Sequence, residues 1–452
     1  MYNVDYNTIK ALNITQANTN WPKMPCQKGW SYDRMEVPYE SIAMEYNWVC
    51  DKLQLGTYSV IIFFVGSIVG CFCFGYIADH YGRIPALMLA NLCGLIGGVL
   101  SAFCSTFYTF SASRFVVGLA IDTCFTPMYI LILENVGVEY RTLIANVAVT
   151  LYYTPSACLL PWIAYFLDNW RILSLVTSIP IVFALVLYFF LPESPRWLLS
   201  VGKIDEGMRN IQQAAEINGA KIPAGILSDF HRCSELFFNT EQSSKNYTIL
   251  DLFKYPRMRR ITIILILIGM IVTLSYDAHV RLIVDIGSDV FVTFSVANLT
   301  ELPSGLITYF LIDRVGRKPI LFMVLMLCGF GCLIAAFLTK KLSVTIAAVF
   351  SRFFANMAYN ISLQWQAEVL PTVVRAQGVS LIHILSAAAT LFSPLVCYLD
   401  RYREHLPLFI LSVLSVICGF LVLFLPETKN AVMPQTVEDG EELWNQKFWC
   451  SA

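Results

Sequence analysis

Charge is what this sequence has least of. Only 14% of its 452 residues are Asp, Glu, Lys or Arg, against 57% hydrophobic residues, a balance that excludes a disordered chain and an ordinary soluble domain. No tract of basic residues is present, so the electrostatic footprint of a nucleic-acid binder is missing and no such partner is expected. The net charge of -1 favours no class of partner. No catalytic motif stands out either, and neither an enzymatic step nor a cofactor or metal is expected. One further absence is local: between Met1 and Cys26 there is no apolar run and no cleavable signal.

What the chain has in abundance is apolar runs of bilayer length. Windows of about 20 residues predict eleven spans, at 57–78, 86–105, 108–132, 143–166, 171–191, 260–280, 287–311, 319–338, 343–367, 378–398 and 408–425. The expected fold class is therefore all-α, a polytopic membrane protein with the lipid bilayer as its main partner. The connection between the fifth and sixth spans is basic, ending in Lys254, Arg257, Arg259 and Arg260. The positive-inside rule makes it cytoplasmic. Its stretch from Lys203 to Asn218, opened by Asp205 and Glu206 and closed by Gly219, reads as a surface helix.

Seven charged or turn-forming residues at span ends recur at one fixed offset of 234 positions. Asp79, Gly82 and Arg83 return as Asp313, Gly316 and Arg317; Glu134 and Arg141 return as Glu368 and Arg375; Pro192 and Glu193 return as Pro426 and Glu427. A duplicated set of helices with the same charges at the same ends implies a two-lobed secondary transporter, with a solute site between the lobes. The predicted organisation is an exofacial segment at 1–56, a first lobe of five spans at 57–191, the cytoplasmic connection at 192–259, a second lobe of six spans at 260–425 and a cytoplasmic tail at 426–452. The span at 260–280 has no partner at the repeat offset, where the polar CQKGWSYDRMEVPYESIAMEY stands. Eleven of twelve helices are thus expected, as in a truncated gene model or a shortened splice form.

Most of the 14 cysteines fall within spans, where a small apolar residue is the ordinary reading, Cys71 and Cys73 included. Cys26 and Cys50 fall in the segment assigned to the outside, an oxidising compartment, and are candidates for a disulfide, which their spacing alone does not fix. Asn13 opens an Asn-Ile-Thr sequon in the same segment and is the candidate glycan site.

GYIADHYGR at 75–83 and DRVGRK at 313–318 resemble the loop motif of the major facilitator superfamily. LPESPRWLL at 191–199, the Cys-Gly-Trp segment from Cys26, EYNWVCD at 45–51, AEVLPTVVR at 367–375 and LPETKN at 425–430 together resemble solute carrier family 22, the transporters of organic cations, anions and zwitterions. The resemblance implies alternating-access transport of small organic ions. It also implies that Phe125, Tyr152, Tyr276, Phe294 and Asn360 match positions lining the central cavity, four of them aromatic rings able to attract a cation. A family departure lies at Ala387, seven residues before Pro394, where cation carriers commonly hold Asp and anion carriers Arg.

Acids inside spans are then the candidate charge selectors, since one at mid-membrane costs about 2.5–3.5 kcal/mol and faces a cavity or a partner. Asp122 and Asp277 are the two candidates, and they favour organic cations or zwitterions carrying an amine. The repeated charges, with Arg314, form the candidate cytoplasmic gate, in which Asp79, Arg83, Glu134, Arg141 and Glu193 mirror Asp313, Arg317, Glu368, Arg375 and Glu427. Its bland alternative is that these charges only fix topology and loop packing. Gly82 and Gly316 suit the tight turns of that gate. Two alternative functions remain: a hexose-type sugar porter, which shares PESPRW and PETK but would carry a Gln pair where this chain has ITIILILIGMIVTLSYDAHVR, and a non-transporting membrane protein.

Overall fold

The computed structural model describes residues 30, 32, 39–49, 52–136, 149–220, 222–223, 225, 229–231, 250–286, 289–371, 374–429, 434 and 441. Cys26, Cys50, Asn13 and Arg141 lie outside them, as do the side chains of Asp313 and Arg375, so the disulfide, the glycan site and those three gate positions stay expectations.

Among the described residues, each apolar run predicted to cross the bilayer is largely helical. In chain order the elements are a short α1 (Ile42–Glu45), then α2 (Gln54–His80), α3 (Arg83–Ala102), α4 (Phe107–Asn135), α5 (Val149–Leu167) and α6 (Trp170–Leu187). The connection carries α7 (Pro195–Ser200), α8 (Ile204–Ile217) and α9 (Asp251–Lys254). There follow α10 (Pro256–Ile286), α11 (Val290–Leu299), α12 (Glu301–Val315), α13 (Arg317–Phe337), α14 (Lys341–Val369), α15 (Arg375–Thr390), α16 (Ser393–Tyr398) and α17 (Leu406–Val422). Among the described residues eight helices are long and apolar enough to cross a membrane, and Leu406–Val422 is a shorter apolar one. The surface helix at 204–217 ends at Gly219 with φ +71°, the left-handed cap its sequence predicts.

Two runs read as single spans are broken, and each break sits one helical turn before a proline. Pro303 has no N–H to give the carbonyl of Leu299, and α11 stops at Leu299. Pro394 stands in the same relation to Thr390, where α15 stops. The first break puts Glu301 at the start of α12, beside the positive end of a half-helix.

The first lobe packs through close backbone approach. A Cβ at Gly66 or Gly70 would run into the carbonyls of Phe115 and Leu119, and one at Gly118 into the carbonyl of Phe63, so α2 and α4 touch main chain to main chain. The second lobe packs through large side chains instead: Leu252, Met258, Ile261, Leu265, Ile268, Ile361, Trp365 and Ile382 form one buried cluster with α10 at its centre. At the repeat offset from α10, the described residues 39–49 form a cap on the predicted outer end of the first lobe. Trp48 is buried there with Cys104, Phe110 and Trp170, and Arg171 pairs with Glu45 at 2.6 Å.

Between lobes, α2 packs on α15 and α16, and α5 on α11 and α12. The side-chain contacts along this seam include Gln54 Nε2 donating to Tyr398 OH at 3.2 Å, the rings of Tyr165 and Phe291 at 5.3 Å, and Arg281 over the Phe64 ring at 5.4 Å. All three lie toward the helix ends assigned to the outside.

Candidate functional site

The loops at Gly82 and Gly316 repeat the same turn and the same carboxylate cap. Gly82 (φ +115°) and Gly316 (φ +110°) make turns open to glycine, and a carboxylate from the far end of the same lobe caps the helix that follows. Glu193 accepts from the N–H groups of Arg83 and Ile84 at 3.1 and 3.0 Å; Glu427 accepts from those of Arg317 and Lys318 at 3.0 and 2.9 Å. The arginines then differ. Arg317 pairs with Glu368, its Nε 2.9 Å from one carboxylate oxygen and its Nη2 donating to the other at 3.0 Å. Arg83 reaches Asp79 at 3.0 Å and Glu134 at 3.5 Å. Lys429 donates to the carbonyl of Arg314 at 2.6 Å. Each described pair lies within one lobe.

Among the acids inside the spans, Asp277 and Asp122 have different partners. Arg281, one turn along α10, binds Asp277 at 2.8 Å, so its charge is matched locally. Asp122 on α4 accepts from the Ser67 hydroxyl of α2, with the Cys71 thiol 4.0 Å away. No Lys or Arg among the described residues forms an ion pair with it. Across the seam, His383 of α15 brings a ring nitrogen within 4.8 Å of the Asp122 carboxylate and the Cys71 sulfur.

A third acid was missed by sequence reasoning. Glu301, placed by the break before α12, receives Arg352 at 2.9 Å and the Tyr276 hydroxyl at 2.6 Å. Arg352 is wholly buried, also donates to the Tyr276 carbonyl at 2.9 Å, and lies 4.5 Å from that ring's centroid. Glu301 inside the run at 287–311 and Arg352 inside that at 343–367 carried the same signal as Asp122: a charge where lipid would penalise one. His383 gave a weaker signal, because a neutral imidazole is cheap to bury.

The five cavity candidates differ in burial and in partners. Tyr276 is stacked on Tyr359 at 4.8 Å and covered by Arg352, so its ring already serves the second lobe. Phe125 on α4 and Tyr152 on α5 are exposed, 46% and 77% respectively. Phe294 on α11 and Asn360 on α14 are half-buried.

Comparison with known proteins fits this geometry. The model of the family "Sugar (and other) transporter" matches residues 24–284 and 285–442. Over 455 residues the chain is 32% identical to human solute carrier family 22 member 2, spanning 98% of this chain and 80% of that protein. The chain belongs to solute carrier family 22. It is likewise 33% identical over 429 residues to the beta-alanine transporter of Drosophila melanogaster, covering 92% of this chain and 69% of the relative. The organic cation transporter 1 of Caenorhabditis elegans is 30% identical over 421 residues, covering 92% and 72%. Among solved structures, the inward open conformation of the xylose transporter XylE from E. coli superposes with a TM-score of 0.65 at 18% identity, covering 86% of this chain and 89% of that one. That likeness shows the major facilitator fold and nothing of the cargo. Membership in the family makes the chain a multi-pass transmembrane transporter; the hexose-porter alternative is reduced to a distant relation of fold.

Proposed function

We propose that this chain carries small organic cations, or zwitterions bearing an amine, across the plasma membrane by alternating access, with no chemistry done on them. One observation carries the reading: of the three span acids Asp122, Asp277 and Glu301, only Asp122 has no arginine or lysine partner among the described residues. Paired acids contribute little net field, whereas Asp122 presents an uncompensated negative charge at the seam between lobes. An ammonium group is the complement of such a site, and the absence of a charge at Ala387 leaves Asp122 as the selector. The Drosophila relative named for beta-alanine, itself an amine zwitterion, and the nematode relative named for organic cations agree with this. Phe125, Phe294 and Asn360 line the same cavity in this reading, and the charge clusters at the loops bias the cytoplasmic ends between open and closed.

Uptake of labelled organic cations by cells expressing the chain tests it. Asp122→Asn should lower cation uptake at least tenfold at unchanged surface expression, about 1.4 kcal/mol of lost recognition. Unchanged uptake of every cation tested would overturn the assignment of Asp122.

A further inference from the structure

Overlapping the expected cargo site at Asp122 is a second arrangement, whose other two members cargo recognition does not use. Cys71 of α2, Asp122 of α4 and His383 of α15 each turn one donor atom toward a common point, and those atoms lie within 4.8 Å of one another. Three helices and both lobes contribute. His383 Nε2 is buried with no hydrogen-bond partner among the described residues, an expensive state for an imidazole nitrogen unless something binds it. Asp122 is in turn held by the Ser67 hydroxyl, the kind of outer contact that orients a ligating carboxylate.

We propose that Cys71, Asp122 and His383 form a site for a divalent d10 cation, Zn2+ in cells, which bridges the two lobes and holds the carrier still. The ligand set suits that ion: thiolate, carboxylate and imidazole are its usual donors, bound at about 2.0–2.3 Å, so two donors on one tetrahedral ion stand about 3.3–3.8 Å apart. Cys71 Sγ and Asp122 Oδ2 are already 4.0 Å apart, and closing the cluster takes movements of about 1 Å. Charge balances as well. The Cys71 thiol releases its proton to solvent as the sulfur–metal bond forms, and thiolate plus carboxylate neutralise the 2+ ion, which a low-dielectric setting demands. Three protein ligands leave a fourth position for water from the cavity.

A second Cys–His group among the described residues shows the contrast. His279, Cys328 and Cys332 are also close together, but His279 is already engaged by the Ser275 carbonyl at 2.6 Å and by Cys332 at 3.1 Å, inside the second lobe. That cluster is self-satisfied and bridges nothing.

Because the site shares Asp122 with the proposed cargo site, two arms separate the ideas. The first needs no transport: the purified full chain is titrated with Cd2+ and the ultraviolet thiolate-to-metal absorption is followed. Wild type should bind at least tenfold more tightly than Cys71→Ser and His383→Ala, while Cys73→Ser, two residues along on an exposed position, should match wild type. Superimposable titrations of wild type and Cys71→Ser would overturn the site. Should His383→Ala not fold, that comparison decides alone, since serine keeps the size of the side chain. In the second arm, Zn2+ should slow cation uptake, with the half-inhibiting concentration raised at least tenfold by Cys71→Ser; equal inhibition of both would refute the bridge between lobes. If no solute is taken up at all, the cargo reading falls while the Cd2+ titration still decides the metal site.

Discussion

The two lobes carry the same charges at the same helix ends and are nevertheless built differently. The second lobe is organised around α10, whose apolar side chains reach α14, α15 and α17, and its long spans bury 28–50% of their most apolar stretch. In the first lobe the three comparable spans bury 6–39%. There the described residues at the repeat offset from α10 form the outer cap, and cohesion comes from glycine-mediated contact of α2 with α4. A duplicated charge pattern therefore does not require a duplicated core. The charges are kept by what the loops must do; the core follows whichever helix is central.

The largest expected difference between lobes concerns the arginines. Arg317 and Glu368 are 12% and 11% exposed, and removing one partner of so buried a pair costs about 3–5 kcal/mol. Asp79 is 75% exposed, so its pair with Arg83 is worth about 0–1 kcal/mol, and Glu134, though 17% exposed, stands at the longer distance of 3.5 Å. Arg317→Met should accordingly lower the thermal midpoint of the purified protein several-fold more than Arg83→Met. Equal shifts would erase the distinction.

The glycine turns should behave alike in the two lobes. Gly82→Ala and Gly316→Ala each force a side chain into a conformation open to glycine and press a Cβ against Glu193 or Glu427. Losses of about 1–3 kcal/mol are expected in each lobe, read as matched drops in the same midpoint. A drop in one lobe only would mean that the repeat is geometric without being energetic.

Acids across the seam should not be equivalent. Asp277→Asn removes a charge that Arg281 already screens, so cation uptake should fall by about threefold or less, roughly the worth of a half-exposed pair. A fall as large as that of Asp122→Asn would move the selector into the second lobe.

The smallest effect belongs to the outer cap of the first lobe. Arg171, by hydrogen bonding to Glu45, holds that carboxyl below its usual value of 4.5. A lowered folded-state value means that the pair stabilises the cap above pH 4.5 and is lost as pH falls through the lower value. Fluorescence quenching of Trp48 by an external quencher should then rise in acid below pH 4.5, and Glu45→Gln should quench more at neutral pH and lose the step.

Much of this was legible in the sequence for a physical reason: a bilayer penalises charge and rewards long apolar runs, so helix positions and loop charges stand out. The eleven runs and the caps at Gly82, Gly316 and Gly219 could be read without coordinates. Helix breaks were legible in principle from Pro303 and Pro394, but hydropathy windows average over them. What stayed hidden was pairing. Nothing in the order of residues says that Arg352 finds Glu301 across 51 positions or that His383 comes near Asp122 from the opposite lobe, whereas Arg281, one helical turn after Asp277, was readable as its partner. The aromatic candidates show the same gap, since Tyr276 has the right residue type but spends its ring on Arg352 and Tyr359.

Glu193 and Glu427 have a mechanical consequence. Each ties the end of its lobe's last span to the first turn of a helix begun about a hundred residues earlier, at 3.0 and 3.1 Å in one case and 2.9 and 3.0 Å in the other. That rim of each lobe is thereby hooped, as staves are by a band. Hooped bodies resist shear, so thermal agitation is diverted from them into the softer seam between α2 and α15 and between α5 and α11, where hydroxyls, rings and a single histidine can slide. In the alternating-access reading proposed above, the stiffness of the two carboxylate clasps would set the seam as the line along which the lobes rock.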